Sequence, residues 1–432
     1  MENDVIEKNA TQVVEDKMEK YKRQKNIELY KSYRVFSYDL LFYYAIIYLF
    51  LTIEKGISAA QVLQFDAFYI LFRFLMQIPS TLLIQKIGKR KSIIIASVVI
   101  AIHSLIIMVA TNFEQLLVSQ LLCAFGFTIK ATCETDMLYD AIPHGEKRGS
   151  TFAKIDGKAN ARHYYLEAVS SVISGFLFVV NPYLPMILCF IILVLTSVLS
   201  TKFEELQKVQ SKNTIKAELK NLKYSFRNIL KSKRLKSLLI CNSLMVAMIK
   251  ILQNLRNTVL LDIGVPEQYF GIIFAVLGII AGIAAKNQDR IHKKYRNKTL
   301  AFLMIPTAIS FLVLGVLTAM KIDVKYSMPI IFVVFAVQYI MKGPYYVLIK
   351  RYFNNFTNSE SRIKIATVNN FAENLIVSVL IFGASFVLDI VPVSETLIIV
   401  GIVVTALTLI LLRYMKKTVG LKAEQYGKKE IL

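Results

Sequence analysis

The chain has no tryptophan, four cysteines and four histidines in 432 residues, and each shortage removes a class of function. His103, His144, His163 and His292 are scattered, with no His-Glu-x-x-His or Cys-x-x-Cys spacing, so neither a metal site nor a cofactor is expected. Cys123, Cys133, Cys189 and Cys241 each fall inside an apolar run and read as small buried residues, not a disulfide framework. There is no Gly-x-x-x-x-Gly-Lys to cradle a triphosphate and no Gly-x-Ser-x-Gly elbow to present a nucleophile. The chain is therefore not expected to be an enzyme. Residues 1–34 lack the short apolar core of a cleaved signal peptide and read as a helical, cytoplasmic lead-in. Without tryptophan, aromatic packing rests on 27 phenylalanines and 22 tyrosines. Of these, Tyr43, Tyr139, Tyr164, Tyr345 and Tyr346 read first as interior packing and second as platforms for a substrate.

What is present is apolar length. The chain is 55% hydrophobic with a mean hydropathy of +0.51, above what a soluble domain carries. About 20 apolar residues suffice for a helix to cross the hydrocarbon core. Twelve such segments occur, near 35–54, 60–85, 92–111, 115–142, 161–181, 183–201, 237–261, 266–285, 299–319, 326–349, 365–388 and 393–412. The expected fold is all-α: an integral membrane protein of twelve transmembrane helices in two six-helix bundles.

The 52 basic residues outnumber the 30 acidic ones, which raises nucleic acid as a partner, but their positions argue for a membrane. The outer loops hold only Lys55, Lys321 and Lys325, and the spans hold Arg73, Lys130, Lys250, Arg256 and Lys342. The remainder lie on the side of both termini, which the positive-inside rule makes cytoplasmic, where they attract anionic lipids.

The chain divides as 1–34, a first bundle 35–203, a linker 204–236, a second bundle 237–413 and a tail 414–432. In the linker, Ile215, Leu219, Leu222, Phe226 and Ile229 recur at three or four, the pattern of a helix lying in the cytoplasmic interface. The bundles repeat one another. Gln85–Lys91, "QKIGKRK", matches Asp289–Tyr295, "DRIHKKY", and "KIDGKANA" faces "RIKIATVN" at a similar offset. Parallel six-helix repeats belong to one large transporter architecture.

At "PSTLLIQKIGKRKS" the sequence resembles the major facilitator superfamily, whose loop between spans two and three carries a glycine, an acid and a basic cluster. Lys86, Gly88, Lys89, Arg90 and Lys91 fit that pattern, whereas Thr81 and Gln85 replace the first glycine and the acid. Asp289 and Arg290 keep an acid–base pair in the second copy. The resemblance implies a gating cluster in which these basic residues meet acids such as Asp140. It also implies that spans one, four, seven and ten line a central cavity. "LYDAIPHGEKRGSTFAKIDGKANA" is similar to a segment of uncharacterised bacterial, drug-efflux-like members. The antiporter motif of span five reads Ser-Ser-Val-Ile-Ser-Gly, Ser170 to Gly175, without its proline.

Charges at bilayer depth cost at least ~2.5–3.5 kcal/mol each and so mark pairs or wet paths. Lys130 and Glu134 share a face of span four; they form a structural pair or a functional one. Lys250, Gln253, Asn254 and Asn257 make a polar stripe on span seven, and Gln338 and Lys342 one on span ten. Asp66 and Arg73 suit a structural or gating pair on span two. Glu134 and Glu373 are the candidate proton-coupling carboxylates. Lys130, Lys250, Gln253, Asn254, Asn257, Gln338 and Lys342 are the candidate substrate-cavity residues.

The expected activity is secondary active transport of a small organic solute by alternating access, proton-coupled, with export favoured. Uptake of an anionic or zwitterionic nutrient is the second reading. A sensor or lipid scramblase of the same fold without turnover is the third. The expected partners are the solute, protons and anionic lipids, for a monomer in a bacterial plasma membrane.

Overall fold

The computed structural model describes residues 2–143, 148–206, 231–355 and 359–418, with 220 and 227. Those residues are helical throughout, joined by short turns. In chain order the helices are α1 (Glu2–Ser37), α2 (Ile47–Leu49) continued by a π-helical turn (Phe50–Glu54), α3 (Ala59–Ile87), α4 (Lys89–Val109), α5 (Phe113–Ala141), α6 (Arg148–Val180) and α7 (Tyr183–Ser200). The second half holds α8 (Lys233–Asp262), α9 (Gln268–Lys286), a short α10 (Gln288–Tyr295), α11 (Thr299–Ala319), α12 (Val324–Asn355), α13 (Ser359–Ile390) and α14 (Val393–Thr418). The apolar linker positions between Ile215 and Ile229 lie outside the described residues.

Local chemistry sets the helix ends. Ser58 and Gln61 form a reciprocal capping box at the start of α3, satisfying two backbone donors that would otherwise face an apolar medium. Asn112 caps α5 by accepting from the Gln115 amide at 2.9 Å. Gly88 separates α3 from α4 at φ +86°, a conformation that a side chain would strain.

Eleven helices among the described residues are long and apolar enough to cross a membrane. The expected first span is the exception, because 35–54 is not one helix. α1 runs on to Ser37, the chain turns from Tyr38 to Ile46, and helix resumes at Ile47. Asn26, Tyr30, Tyr33 and Ser37, on the last turns of α1, are each at most 2% exposed. The first crossing is therefore a broken helix whose leading half is the end of the supposed lead-in. Hydropathy missed it because that half is polar, although Tyr30, Tyr33 and Ser37 recur at the three-and-four spacing of a buried stripe.

The packing of the two halves follows one plan. α1 packs on α6 as α8 packs on α13, α3 on α5 as α9 on α12, and α4 on α7 as α11 on α14. The most extensive contacts between the halves, α3 with α13 and α6 with α9, exchange with each other under the same repeat. At the second junction Gly271 lies so close to Ser171 that a Cβ would stand 2.0 Å from its carbonyl oxygen. Only backbone without side chains allows two helices this close.

Candidate functional site

The break in the first crossing leaves the last carbonyls of α1 without partners from their own helix, and three groups supply them. The Tyr38 amide donates to the Arg34 carbonyl at 3.1 Å, His163 Nδ1 bonds the Val35 carbonyl at 2.8 Å, and Lys130 Nζ donates to the Ser37 carbonyl at 2.6 Å. A cation at a helix C-terminus also meets the negative end of the helix dipole. Glu134 lies between two cations: it pairs with Arg34 and sits 3.7 Å from Lys130. Arg34 reaches on to Asn160 at 3.1 Å and Asp156 at 3.7 Å, and the Tyr30 hydroxyl donates to Asp156 at 2.6 Å.

Lys130 and Glu134 are 3% and 1% exposed. The Lys130 ammonium, expected in a substrate cavity, is engaged in ending a broken helix inside the first bundle. Arg34 and Asp156 were not anticipated, because the partner of Glu134 lies outside any apolar run.

A different set of ionisable groups on the spans is half-buried: Asp66, Arg73, Glu167, Lys250, Lys342 and Glu373. They meet across the interface. Asp66 on α3 accepts from Asn254 Nδ2 on α8 at 2.8 Å and lies within electrostatic reach of Lys250. Glu167 on α6 lies within electrostatic reach of Lys342 on α12. Glu373 on α13 lies within electrostatic reach of Arg73 on α3 and of Lys250, and accepts from Asn242 on α8. Asp66 thus turns to the second half and not to Arg73, whose guanidinium lies 5.9 Å from the Tyr69 ring.

One pocket is lined by Ile249, Leu252, Gln253, Arg256, Thr307, Gln338, Tyr339 and Lys342; of the stripes on spans seven and ten it takes Gln253, Gln338 and Lys342, but not Lys250, Asn254 or Asn257. Gln338 also donates to Ser310 at 3.0 Å. Asn257 is buried, and its side-chain oxygen has no hydrogen-bond partner. Arg256 was not among the candidates, although it follows Gln253 by three residues on the same stripe.

In the gating cluster, Lys89 Nζ stands 2.7 Å from Asp140 and 3.6 Å from Asp136. Glu205, from the linker, accepts from the Arg90 amide at 2.8 Å, placing an acid at the N-terminus of α4. Lys86 is exposed at the end of α3, with Gln85 half-buried beside it. In the second copy Asp289 pairs with Arg351 at 3.0 Å, while Arg290 is exposed. Asp289 and Arg290, the acid and base of the second-copy motif, are adjacent on α10 and so diverge by about 100° around the helix axis.

Toward the face opposite the termini, the halves also meet through Tyr48 and Thr258, whose hydroxyls are 2.6 Å apart. At mid-depth Phe68 stacks edge-on with Phe382, with ring centroids 4.9 Å apart. Two pseudo-equivalent bundles with ionisable groups facing one another across the seam define a two-bundle membrane transporter.

The family model for the Major Facilitator Superfamily matches residues 35–324, and the chain belongs to that superfamily. The solved structure of the nucleoside transporter NupG is similar over 93% of this chain and 100% of its own, at 12% identity and a TM-score of 0.68. A POT family transporter in complex with thioalcohol conjugated peptide covers 92% of this chain and 95% of its own, at 14% identity and a TM-score of 0.67. The same coverage and score, at 13% identity, hold for a POT family transporter in complex with 5-aminolevulinic acid. At such identities the likeness shows the fold. No curated relative matches the chain.

Proposed function

We propose that the chain is a proton-coupled secondary transporter that moves a small organic solute by alternating access. The observation that carries this reading is the cross-seam network in which Asp66, Glu167 and Glu373 each face a cation of the opposite half. Rocking one half against the other separates those partners. A carboxylate whose cation withdraws takes up a proton, and the returning cation expels it. Glu373 and Glu167 serve this role better than Glu134, which remains clamped inside one bundle whatever the halves do.

Export follows from the local resemblance to efflux-like members. Uptake of an anionic or zwitterionic solute is the second reading. It is supported by Lys250, Arg256 and Lys342 at mid-depth and by the likeness to transporters whose structures hold a peptide conjugate and 5-aminolevulinic acid. The charge asymmetry supports cytoplasmic termini, with anionic lipid at the basic face; a monomer in a bacterial plasma membrane completes the proposed reading.

The test uses proteoliposomes loaded with a pH-sensitive dye and offered anionic, zwitterionic and lipophilic cationic solutes. The expected result is solute-evoked proton flux that is lost in Glu373→Gln. Solute transport that leaves the dye unchanged, or proton flux that survives replacement of Glu373 and Glu167 together, rejects the coupling mechanism.

A further inference from the structure

Five cations lie inside the apolar spans read from the sequence, and four of them have a carboxylate within electrostatic reach: Lys130 pairs with Glu134, Lys250 is within reach of Asp66 and Glu373, Arg73 of Glu373, and Lys342 of Glu167. The fifth is Arg256. It is 6% exposed, and among the described residues no carboxylate stands within ion-pair distance of it or within the electrostatic reach that the other four enjoy. Its contacts are uncharged: Nη1 bonds the Tyr339 hydroxyl, and its guanidinium carbon lies 3.6 Å from the centre of the Phe274 ring. Its Nε is buried without a hydrogen-bond partner.

An ionised guanidinium in that position is incompletely compensated. Stacking on an aromatic ring returns about 2 kcal/mol when desolvated, whereas burying a charge costs several kcal/mol. Lys342 lines the same pocket and adds a second positive charge without neutralising the first. Both place donors around a space that includes Gln253 and Tyr339. The enclosed room there is about 10 Å³, the space of about one water molecule. A carboxylate or phosphate group of a solute therefore enters only as the surrounding side chains part.

We infer that this pocket between α8, α11 and α12 is an anion-recognition subsite, in which Arg256 binds a carboxylate or phosphate group of the solute with Lys342 beside it. A planar guanidinium offers a fixed fork of N–H donors that matches such oxyanions, which an ammonium does not. An anionic group there supplies the counter-charge that Arg256 otherwise lacks. The bundle then has reason to hold loaded and empty states of different stability. That the anion is cargo rests on the transport reading; that it binds does not.

The test is binding without any gradient, on the purified full chain in nanodiscs, read by calorimetry and thermal shift. The probes are succinate, glutamate and glycerol 3-phosphate, each against its uncharged-headgroup counterpart: succinamide, glutamine and glycerol. Inorganic sulfate is run alongside. The expected result is at least one pair in which the charged member binds ~10-fold or more tighter, the scale of a charge-assisted hydrogen bond. That preference vanishes in Arg256→Gln and is weakened in Arg256→Lys. Absence of any preference in the wild-type chain overturns the inference without relying on a variant that folds, as does a preference that survives Arg256→Gln. Sulfate binding as tightly as every organic probe overturns the solute subsite in favour of a free-anion site. Anion preference without solute-evoked proton flux sinks the transport reading and leaves the subsite standing.

Discussion

Replacing Gly271 with alanine tests the closure of the face opposite the termini. The added Cβ would stand 2.0 Å from the Ser171 carbonyl oxygen, 2.8 Å from its carbon and 3.1 Å from Val172 Cα. All three are backbone atoms, so no side-chain rotation relieves the overlap. A carbon rests about 3.3 Å or more from a carbonyl oxygen, so α6 and α9 must part by roughly 1.3 Å. Overpacking on this scale costs about 1–3 kcal/mol, and the whole cost falls on the state in which these helices touch. The expected shift toward the state open at that face is therefore about 5- to 150-fold. Spin labels on cysteines introduced at Glu54 and Asp262, exposed positions on opposite halves of that face, read the change by pulsed electron resonance, with the four native cysteines buried. Gly278 on the same helix, where an added Cβ would meet no atom within 4 Å, is the control, and its alanine variant should match wild type. An unchanged distance distribution in Gly271→Ala, or an equal shift in Gly278→Ala, refutes the steric reasoning.

Three further outcomes follow from the first bundle. Arg34→Ala leaves Glu134 buried with only the more distant Lys130, and should lower stability by about 3 kcal/mol; thermal unfolding in detergent checks this, with Glu134→Gln in the same background recovering part of the loss. Asn26 exchanges two 2.9 Å bonds with the backbone of Glu204, so Asn26→Ala should cost about 1–3 kcal/mol, read as increased proteolysis ahead of Tyr30. The Lys25 ammonium holds the Glu204 carboxyl below its ordinary value. Its contribution is then fully present above the ordinary value near pH 4.5 and is lost as pH falls through the depressed one. The stability difference between wild type and Glu204→Gln should accordingly disappear on acidification below that point; a difference that grows there would contradict the sign.

Membrane helices were legible because a run such as Ile93–Val109 reports its own burial in lipid, whatever else the chain does. The repeat was legible for a related reason, since two copies of a loop at equal offsets need no partner to be recognised. Partner choice was not. Lys130 and Glu134 were readable as a pair from i, i+4 spacing, yet Arg34, Asp156 and the Ser37 carbonyl, which define their role, come from elements whose proximity no local pattern encodes. The same holds for Glu205 at the gating cluster and Arg351 beside Asp289.

By itself, then, the sequence determined an all-helical membrane chain of two related halves, because hydropathy and periodicity are local sums along one helix. Tertiary structure decided that the first crossing is broken, that its end is closed by Lys130 and His163, and that Asp66, Glu167 and Glu373 look across the seam. It also left Arg256 as the buried cation without a carboxylate among the described residues. The physical reason is that the cost of a charge in a membrane depends on what stands within a few ångströms of it, and those neighbours are set by packing between helices far apart in the chain.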